Sequence, residues 1–297
     1  MEYIQELVME IKSTTSLYGI FGHPVDHSLS PVMHNNGFSE LDLDCVYVAF
    51  DIFPTSLGEA VSAIRALGIS GVNVTIPHKQ RIRSYLDELS SDAMLVGAVN
   101  TVSNVGGRLI GFNTDVGGLL RALKSDLDFT PEGTKVFLIG AGGAARATIV
   151  ALCSNYVSEV VIVNRTLSKA EDLAKEFGDH FPKIEFKAVM LSDEKRIKQN
   201  IVGSDIVINS SSAGMKRKYP LELPLYLLPK HAGIYDLVYD PTDTPLVKDA
   251  KKLGLKAHSG HSMLLYQGVE SFEIWTGLTA PVDTMKKALD LYKLINH

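Results

Sequence analysis

Short apolar runs alternate with helical spacing along the first hundred residues. Tyr18–Phe21, Cys45–Phe50 and Gly71–Val74 read as strands, being rich in β-branched and aromatic side chains. Between them, residues 31–41 and 55–67 carry apolar side chains at three- and four-residue spacing with a glycine close to the end, which predicts amphipathic helices. Strands separated by helices imply crossover connections and a mostly parallel sheet. Ala98–Val102 and Leu109–Phe112, separated by residues 104–107, predict a hairpin that closes this sheet.

A second series begins after a looser stretch, 126–133. Lys135–Ile139 is a continuous apolar strand running straight into Gly140-Ala-Gly-Gly-Ala-Ala145, and a helix is expected over 147–152. A strand at 159–163, a helix at 167–177 and strands at 206–209 and 234–237 follow. Continuous rather than alternating apolar strands imply a sheet covered on both faces. Helical patterns over about 263–275 and from 282 to the end belong to neither series. The chain is therefore expected to leave one α/β domain, build a second, and return. The boundaries read as 1–115 plus 260–297 for the first domain and 116–259 for the second.

A length of 297 residues is more than one hydrophobic core usually organises, in keeping with two domains. With 45% apolar and 21% charged residues, the composition is that of an ordinary globular protein. The balance of 29 Lys+Arg against 34 Asp+Glu gives a net charge of −5 and no electrostatic reason to expect a nucleic-acid partner. Cys45 and Cys153 are too few for a disulfide scaffold and fit a reducing compartment. No apolar run approaches the roughly 18 residues of a membrane span. The opening MEYIQELVMEIK is charged and amphipathic, unlike a secretory signal. A soluble cytoplasmic protein is the expectation.

Gly140-x-Gly142-x-x-Ala145 follows a strand and opens a helix, the setting that turns a glycine pattern into a dinucleotide fingerprint. The glycines permit a tight turn and bring backbone N–H groups to a pyrophosphate, whose charge the helix N-terminus favours. Ala145 takes the place of the third glycine. The bland alternative is a glycine-rich turn that binds nothing. An NAD site carries Asp or Glu about 20 residues further on, at the end of the second strand. Here that strand ends Asn164-Arg165-Thr166, with Lys169 beyond and no acid. A guanidinium can hold the oxygens of a 2′-phosphate that a carboxylate would repel, so the pattern reads as NADP. The alternative is a helix-capping turn with a solvated arginine.

The front half carries small hydroxyl and amide side chains where predicted strands end: Ser28, Ser30, Asn73, Thr75, Asn100, Thr101 and Asn113–Asp115, with Lys79 among them. Open parallel sheets bind ligands at that edge. Each also has a local explanation. Ser30 before Pro31 suits a helix cap, Thr75 a strand, Asn100 a turn, and Asp115 the cap of the next helix. His23, His27, His34 and His78 have no metal-ligand spacing and read as turn or surface residues, so no metal site is expected.

Taken in order, Gly22-His-Pro-Val-Asp-His-Ser28-Leu-Ser30-Pro31, Asn73-Val-Thr75-Ile-Pro-His-Lys79, Gly97-Ala-Val-Asn100-Thr101 and Gly111-Phe-Asn-Thr-Asp115 resemble the shikimate dehydrogenase family. So do Gly140-Ala-Gly-Gly-Ala-Ala-Arg-Ala147, Asn164-Arg-Thr166, Tyr235-Asp-Leu-Val-Tyr239-x-Pro and Met263-Leu-Leu-Tyr-Gln267. The resemblance implies a substrate domain and a Rossmann-type NADP domain; from the order of the elements the active site is expected between them, with hinges near Asp115 and His258–Gly260. It implies that Ser28 and Ser30 bind the substrate carboxylate, that Thr75, Asn100, Tyr239 and Gln267 contact its hydroxyls or carboxylate, and that Lys79 and Asp115 are the catalytic pair, also touching substrate. It further implies that Gly140, Ala141, Gly142, Gly143, Ala144, Asn164, Arg165, Thr166, Lys169, Leu237 and Gly260 contact NADP. The implied reaction is the reversible reduction of 3-dehydroshikimate to shikimate, in chorismate and aromatic amino-acid biosynthesis, by a monomer or homodimer.

Two segments depart from the family pattern. Gly260-His261-Ser262-Met263 has His261 and Ser262 where an apolar residue and a second glycine are common, and Asn209-Ser-Ser-Ser-Ala-Gly-Met215 is a loose version of a strand-end loop. Three other functions share parts of the pattern: a quinate/shikimate dehydrogenase using NAD, a related dehydrogenase of a folate derivative, and a catalytically silent metabolite sensor. The Lys79/Asp115 pair argues against the sensor, and the string of Ser, Thr, Asn, Lys, Asp and Gln suits a small polyol acid.

Overall fold

Runs rich in Val, Ile, Tyr and Phe form most of the strands, since β-branched and aromatic side chains pack well on a pleated surface. The computed structural model describes residues 11–215, 221–241 and 243–296. The amphipathic start read from the sequence therefore lies, up to residue 10, outside the described residues, as does His297. In chain order the first part runs β1 (Ser16–Gly22), α1 (Ser30–Glu40), β2 (Cys45–Asp51), α2 (Leu57–Ala66), β3 (Gly71–Val74), β4 (Glu88–Leu89), α3 (Ser91–Val96), β5 (Thr101–Val105) and β6 (Arg108–Phe112). The second runs α4 (Asp115–Leu127), β7 (Lys135–Ile139), α5 (Gly143–Cys153), β8 (Glu159–Asn164), α6 (Leu167–His180), β9 (Glu185–Met190), α7 (Glu194–Ile201), β10 (Ile206–Asn209), β11 (Gly233–Asp236), α8 (Pro245–Lys252) and β12 (Lys256–Ser259). Helices α9 (His261–Thr276) and α10 (Val282–Asn296) end the chain.

Two units result. The first comprises Met1–Ser90, Ala98–Phe112 and Gly268–His297; the second comprises Ser91–Gly97 and Asn113–Gln267. The crossings thus fall at Phe112/Asn113 and inside α9 at Gln267/Gly268, with α3 grouped in the second unit.

The first unit holds a mixed sheet in the order β2-β1-β3-β5-β6-β4. β1 pairs in parallel with β2 and β3, whereas β5 is antiparallel to both β3 and β6. The hairpin begins at Thr101 rather than Ala98. Its loop narrows to Gly106-Gly107, whose φ angles of 61° and 89° only glycine adopts at little cost. A ring cluster fills one face: Phe38 packs on Phe272 at 5.2 Å, and Tyr18 on Trp275 at 5.2 Å. Trp275 donates its indole N–H to the Val102 carbonyl at 3.0 Å, and a side chain at Gly71 would overlap that indole.

His34 and His78 are not surface residues; both are 0% exposed. His34 stacks on Tyr47 at 4.5 Å within the ring cluster, and burial pushes its pKa down to about 3, so the ring is neutral. His78 shares a 2.7 Å hydrogen bond between Nε2 and the Ile52 carbonyl. In both cases the inward face of the surrounding fold decided burial, and one histidine in a sequence carries no signal of that.

In the second unit the sheet order is β12-β11-β10-β7-β8-β9, all parallel. Counted from β7, this is the 3-2-1-4-5-6 order of a doubly wound dinucleotide fold, with its switch point between β7 and β10. Val136–Ile139, Val160–Val163 and Ile206–Ile208 are all buried, as strands covered on both faces must be. The stretch expected to be loose from 126 is still helical through Leu127, where Asp128 at φ 52° ends α4.

Candidate active site

Ser28, Ser30, Thr75, Lys79 and Asn100 lie in the first unit, on the segments that follow β1 and β3 and precede β5. Thr75 follows β3, and its N–H donates to the Phe21 carbonyl at 2.9 Å, which ties it to the end of β1. Asn100 precedes β5 and is held from both sides: its N–H donates to Phe112, and its carbonyl accepts from Val74 at 2.8 Å. The Lys79 carbonyl accepts from Val99 N–H at 2.8 Å, placing a half-buried lysine one residue from Asn100. Ser28 and Ser30 lie at the start of α1. Ser30 is the first helical residue and not its cap: the Ser28 hydroxyl accepts from Ser30 N–H at 3.3 Å, and Leu29 holds the capping position.

A buried polar network joins the candidates Asn73, Asn100 and Thr101 to Tyr47 and Ser271, which the sequence did not single out. Tyr47 donates its hydroxyl to Asn73 Oδ1 at 2.7 Å, and Asn73 Nδ2 donates to the Asn100 carbonyl, Thr101 Oγ1 and Ser271 Oγ at 3.2, 3.1 and 3.0 Å. Thr101 Oγ1 in turn donates to Asn100 Oδ1 at 3.1 Å. Asn73 is therefore scaffolding: it satisfies buried polar groups and orients the Asn100 amide.

The second unit presents the glycine turn. Gly140 has φ 109°, and a Cβ there would come within 2.7 Å of Ser210 Oγ, so the turn is pressed against the end of β10, at the switch point. Gly142 and Gly143 differ. A Cβ on either would meet nothing within 4 Å, and Gly142 caps α5 with no side-chain hydrogen bond. Nothing in the chain itself demands glycine at these two positions, whereas a ligand approaching the backbone does. The residues thus fit a pyrophosphate at the α5 N-terminus. At the end of β8, Asn164 Nδ2 donates to the Thr166 carbonyl at 2.9 Å, while Thr166 caps α6 without using its hydroxyl. Arg165, Thr166 and Lys169 are exposed, leaving a cationic edge with no acid. Gly260 lies so close to the Leu237 carbonyl that a side chain would overlap it, which joins the ends of β11 and β12 in one backbone crossing.

Asp115 is the first residue of α4, after Thr114, and is buried. Tyr239 is half-buried, and burial raises its phenol pKa, so it remains a neutral donor. Gln267 is half-buried in α9, with Nε2 donating to the Leu264 carbonyl at 2.8 Å. Lys79, Ser28, Ser30, Thr75 and Asn100 belong to the first unit, and Asp115, Tyr239 and Gln267 to the second.

Asp236 is a further residue that sequence reading passed over. Its Oδ1 accepts from Asn209 Nδ2 at 2.8 Å and Val238 N–H at 3.1 Å, and Oδ2 accepts from Thr244 Oγ1 at 2.7 Å. Asn209 Oδ1 holds Ser211, so one buried carboxyl ties the loops after β10 and β11 beside the glycine turn. Burial raises its pKa to about 6 despite those three donors. The folded state then binds the proton more tightly than the unfolded chain, and the group's stabilisation, full below the unfolded value of 3.8, is lost as pH rises through about 6. Asp236→Asn removes the titration. The Tm advantage of the parent over this variant is expected to shrink between about pH 4 and about pH 7 by differential scanning calorimetry; a constant difference would refute it.

Family profiles match three segments: the shikimate dehydrogenase substrate binding domain over residues 20–102, shikimate/quinate 5-dehydrogenase over 123–217, and the shikimate 5′-dehydrogenase C-terminal domain over 260–289. Shikimate dehydrogenase (NADP(+)) of Desulforamulus reducens is 43% identical over 282 residues, covering 94% of this chain and 96% of that one. The chain belongs to the shikimate dehydrogenase family. A crystal structure of a shikimate dehydrogenase in complex with NADP+ is 40% identical with a TM-score of 0.87, covering 95% of this chain and 97% of that one. The Thermus thermophilus shikimate 5-dehydrogenase, solved in complex with NADP(H) and shikimate, is 36% identical with a TM-score of 0.82, covering 93% and 99%.

Set beside the shikimate dehydrogenase pattern, the departure at Ser262 acquires a structural account. Its hydroxyl donates to Asp126 Oδ1 at 2.9 Å, so it anchors the start of α9 to α4. Among the described residues no group of three or more His, Cys, Asp or Glu could hold a metal ion, and no helix is long and apolar enough to cross a membrane.

Proposed function

We propose that the chain is an NADP-dependent shikimate dehydrogenase, an oxidoreductase that reversibly reduces 3-dehydroshikimate to shikimate in aromatic amino-acid biosynthesis. One observation carries the reading: a glycine turn at the switch point opens onto empty space at Gly142 and Gly143, in a chain that matches a shikimate dehydrogenase (NADP(+)) over 94% of its length. Gly140, Ala141, Gly142, Gly143 and Ala144 would hold the pyrophosphate, and Asn164, Arg165, Thr166 and Lys169 the 2′-phosphate end. Leu237 and Gly260 would also contact the cofactor.

When bound, NADPH supplies the hydride that reduces the substrate ketone. Ser28 and Ser30 are neutral donors that orient the substrate carboxylate. Thr75, Asn100, Tyr239 and Gln267 hydrogen-bond its hydroxyls or carboxylate. The Lys79 ammonium donates a hydrogen bond to the ketone oxygen, stabilises the developing alkoxide and gives it a proton; in the reverse direction the amine takes that proton back. Asp115 accepts from a substrate hydroxyl. The enzyme acts in the cytoplasm, as a monomer or homodimer.

A matrix of two substrates against two cofactors, followed at the nicotinamide absorbance band, tests the assignment. Shikimate with NADP is expected to be the best pair by kcat/KM. Faster turnover of quinate with NAD would mark a quinate enzyme instead, and tight binding without turnover would mark a sensor.

A further inference from the structure

Asp115 and Gln267 are joined by a part of the second unit that the chemistry itself does not use. Helix α4 opens with Asp115 and carries Gly118 one turn later. Gly118 lies directly on the backbone of α9: a Cβ there would come within 2.7 Å of Gln267 N, 2.8 Å of its Cβ and 2.9 Å of its Cα. Glycine is a poor helix former, and φ at Gly118 is not positive, so conformational freedom does not account for it. Close approach does. The neighbouring atoms are backbone and a Cβ, which cannot swing aside as the tip of a long side chain can.

The same two helices are tied again beyond this contact. Ser262 Oγ donates to Asp126 Oδ1 at 2.9 Å, and Tyr235 donates its hydroxyl to Asp126 Oδ2 at 3.2 Å. The Arg121 guanidinium lies over the Tyr266 ring, 4.7 Å from its centroid, on the residue next to Gln267. Asp126 thus connects α4, β11 and the first turn of α9. Ser262, the departure from the family pattern, is the link to α9.

We propose that Gly118 is a positioning residue: by letting α4 meet the α9 backbone, with Ser262–Asp126 as a second tie, it fixes Gln267 relative to Asp115 and so sets how substrate is held. This rests on Asp115 and Gln267 serving substrate as read above. Misplacing Gln267 weakens its hydrogen bond to substrate, a loss of about tenfold in binding. Gly118→Ala is therefore expected to raise KM for shikimate about tenfold while KM for NADP stays nearly constant. Added to Gln267→Ala, which by itself raises KM for shikimate, it is expected to cause little further rise, because residues acting through one another are not additive. Ser262→Ala carries the same comparison, with a smaller effect, if Gly118→Ala yields no folded protein.

Full additivity with Gln267→Ala, or an unchanged KM for shikimate in folded Gly118→Ala, overturns the inference and leaves the site reading standing. An unchanged KM in Gln267→Ala alone overturns the site reading for Gln267, and the inference with it.

Discussion

Replacing Lys79 by alanine is expected to lower kcat by about 10²–10⁴-fold, the range a positioned proton donor contributes. The lysine backbone is secured independently of its side chain, through the 2.8 Å bond from Val99 N–H to the Lys79 carbonyl. Truncation therefore leaves Asn100 and Thr75 in place, and KM for shikimate should rise much less than kcat falls. That split is the diagnostic. A group that merely binds substrate in its ground state would raise KM with kcat nearly unchanged, whereas one that acts on the developing alkoxide lowers kcat. Lys79→Met, which keeps most of the stem and loses the ammonium, should match alanine in kcat. Steady-state kinetics in both directions decide it, and near-normal turnover in either variant removes Lys79 from the mechanism.

The elements that could be read from the sequence were those whose signal is local. Lys135–Ile139 running into Gly140 announces a buried strand and a tight turn, and β7, the turn and α5 lie there in the structure. β9 and β12 were not foreseen. Both are edge strands of the second sheet, and Lys256-Ala-His-Ser259 alternates exposed with buried positions in a run too short and polar to stand out. The candidate site divides the same way. Glycines and cap-like hydroxyls advertise themselves by type, whereas Asn73 and Asp236 lie within predicted strands and their structural role emerges only when the sheet brings Tyr47, Ser271, Asn209 and Thr244 around them. His34 and Ser262 were misjudged or left open for a related reason: their roles are set by rings and a carboxylate distant in sequence.

Arg165→Ala is expected to raise KM for NADP by about 10–100-fold, the loss of one charge-assisted hydrogen bond at roughly 1.5–3 kcal/mol, while KM for NAD changes little. The asymmetry follows from where the side chain stands. Arg165 follows β8, exposed, in the first position after the strand, where an NAD site carries its acid. It has no part in the glycine turn that both cofactors would share. Thr166 leaves its hydroxyl out of the α6 cap and Lys169 is exposed in the first turn of α6, so the arginine is the centre of a small cationic edge. Two consequences separate this reading from a solvated capping arginine. The preference for NADP over NAD, as a ratio of kcat/KM values, should weaken in the parent enzyme as ionic strength rises, since exposed charges are screened. In Arg165→Ala that salt dependence should be much reduced, and adding Lys169→Ala should reduce it further. Equal losses with both cofactors in Arg165→Ala would sink the assignment, because an arginine that only stabilises the β8–α6 turn must serve NAD and NADP alike.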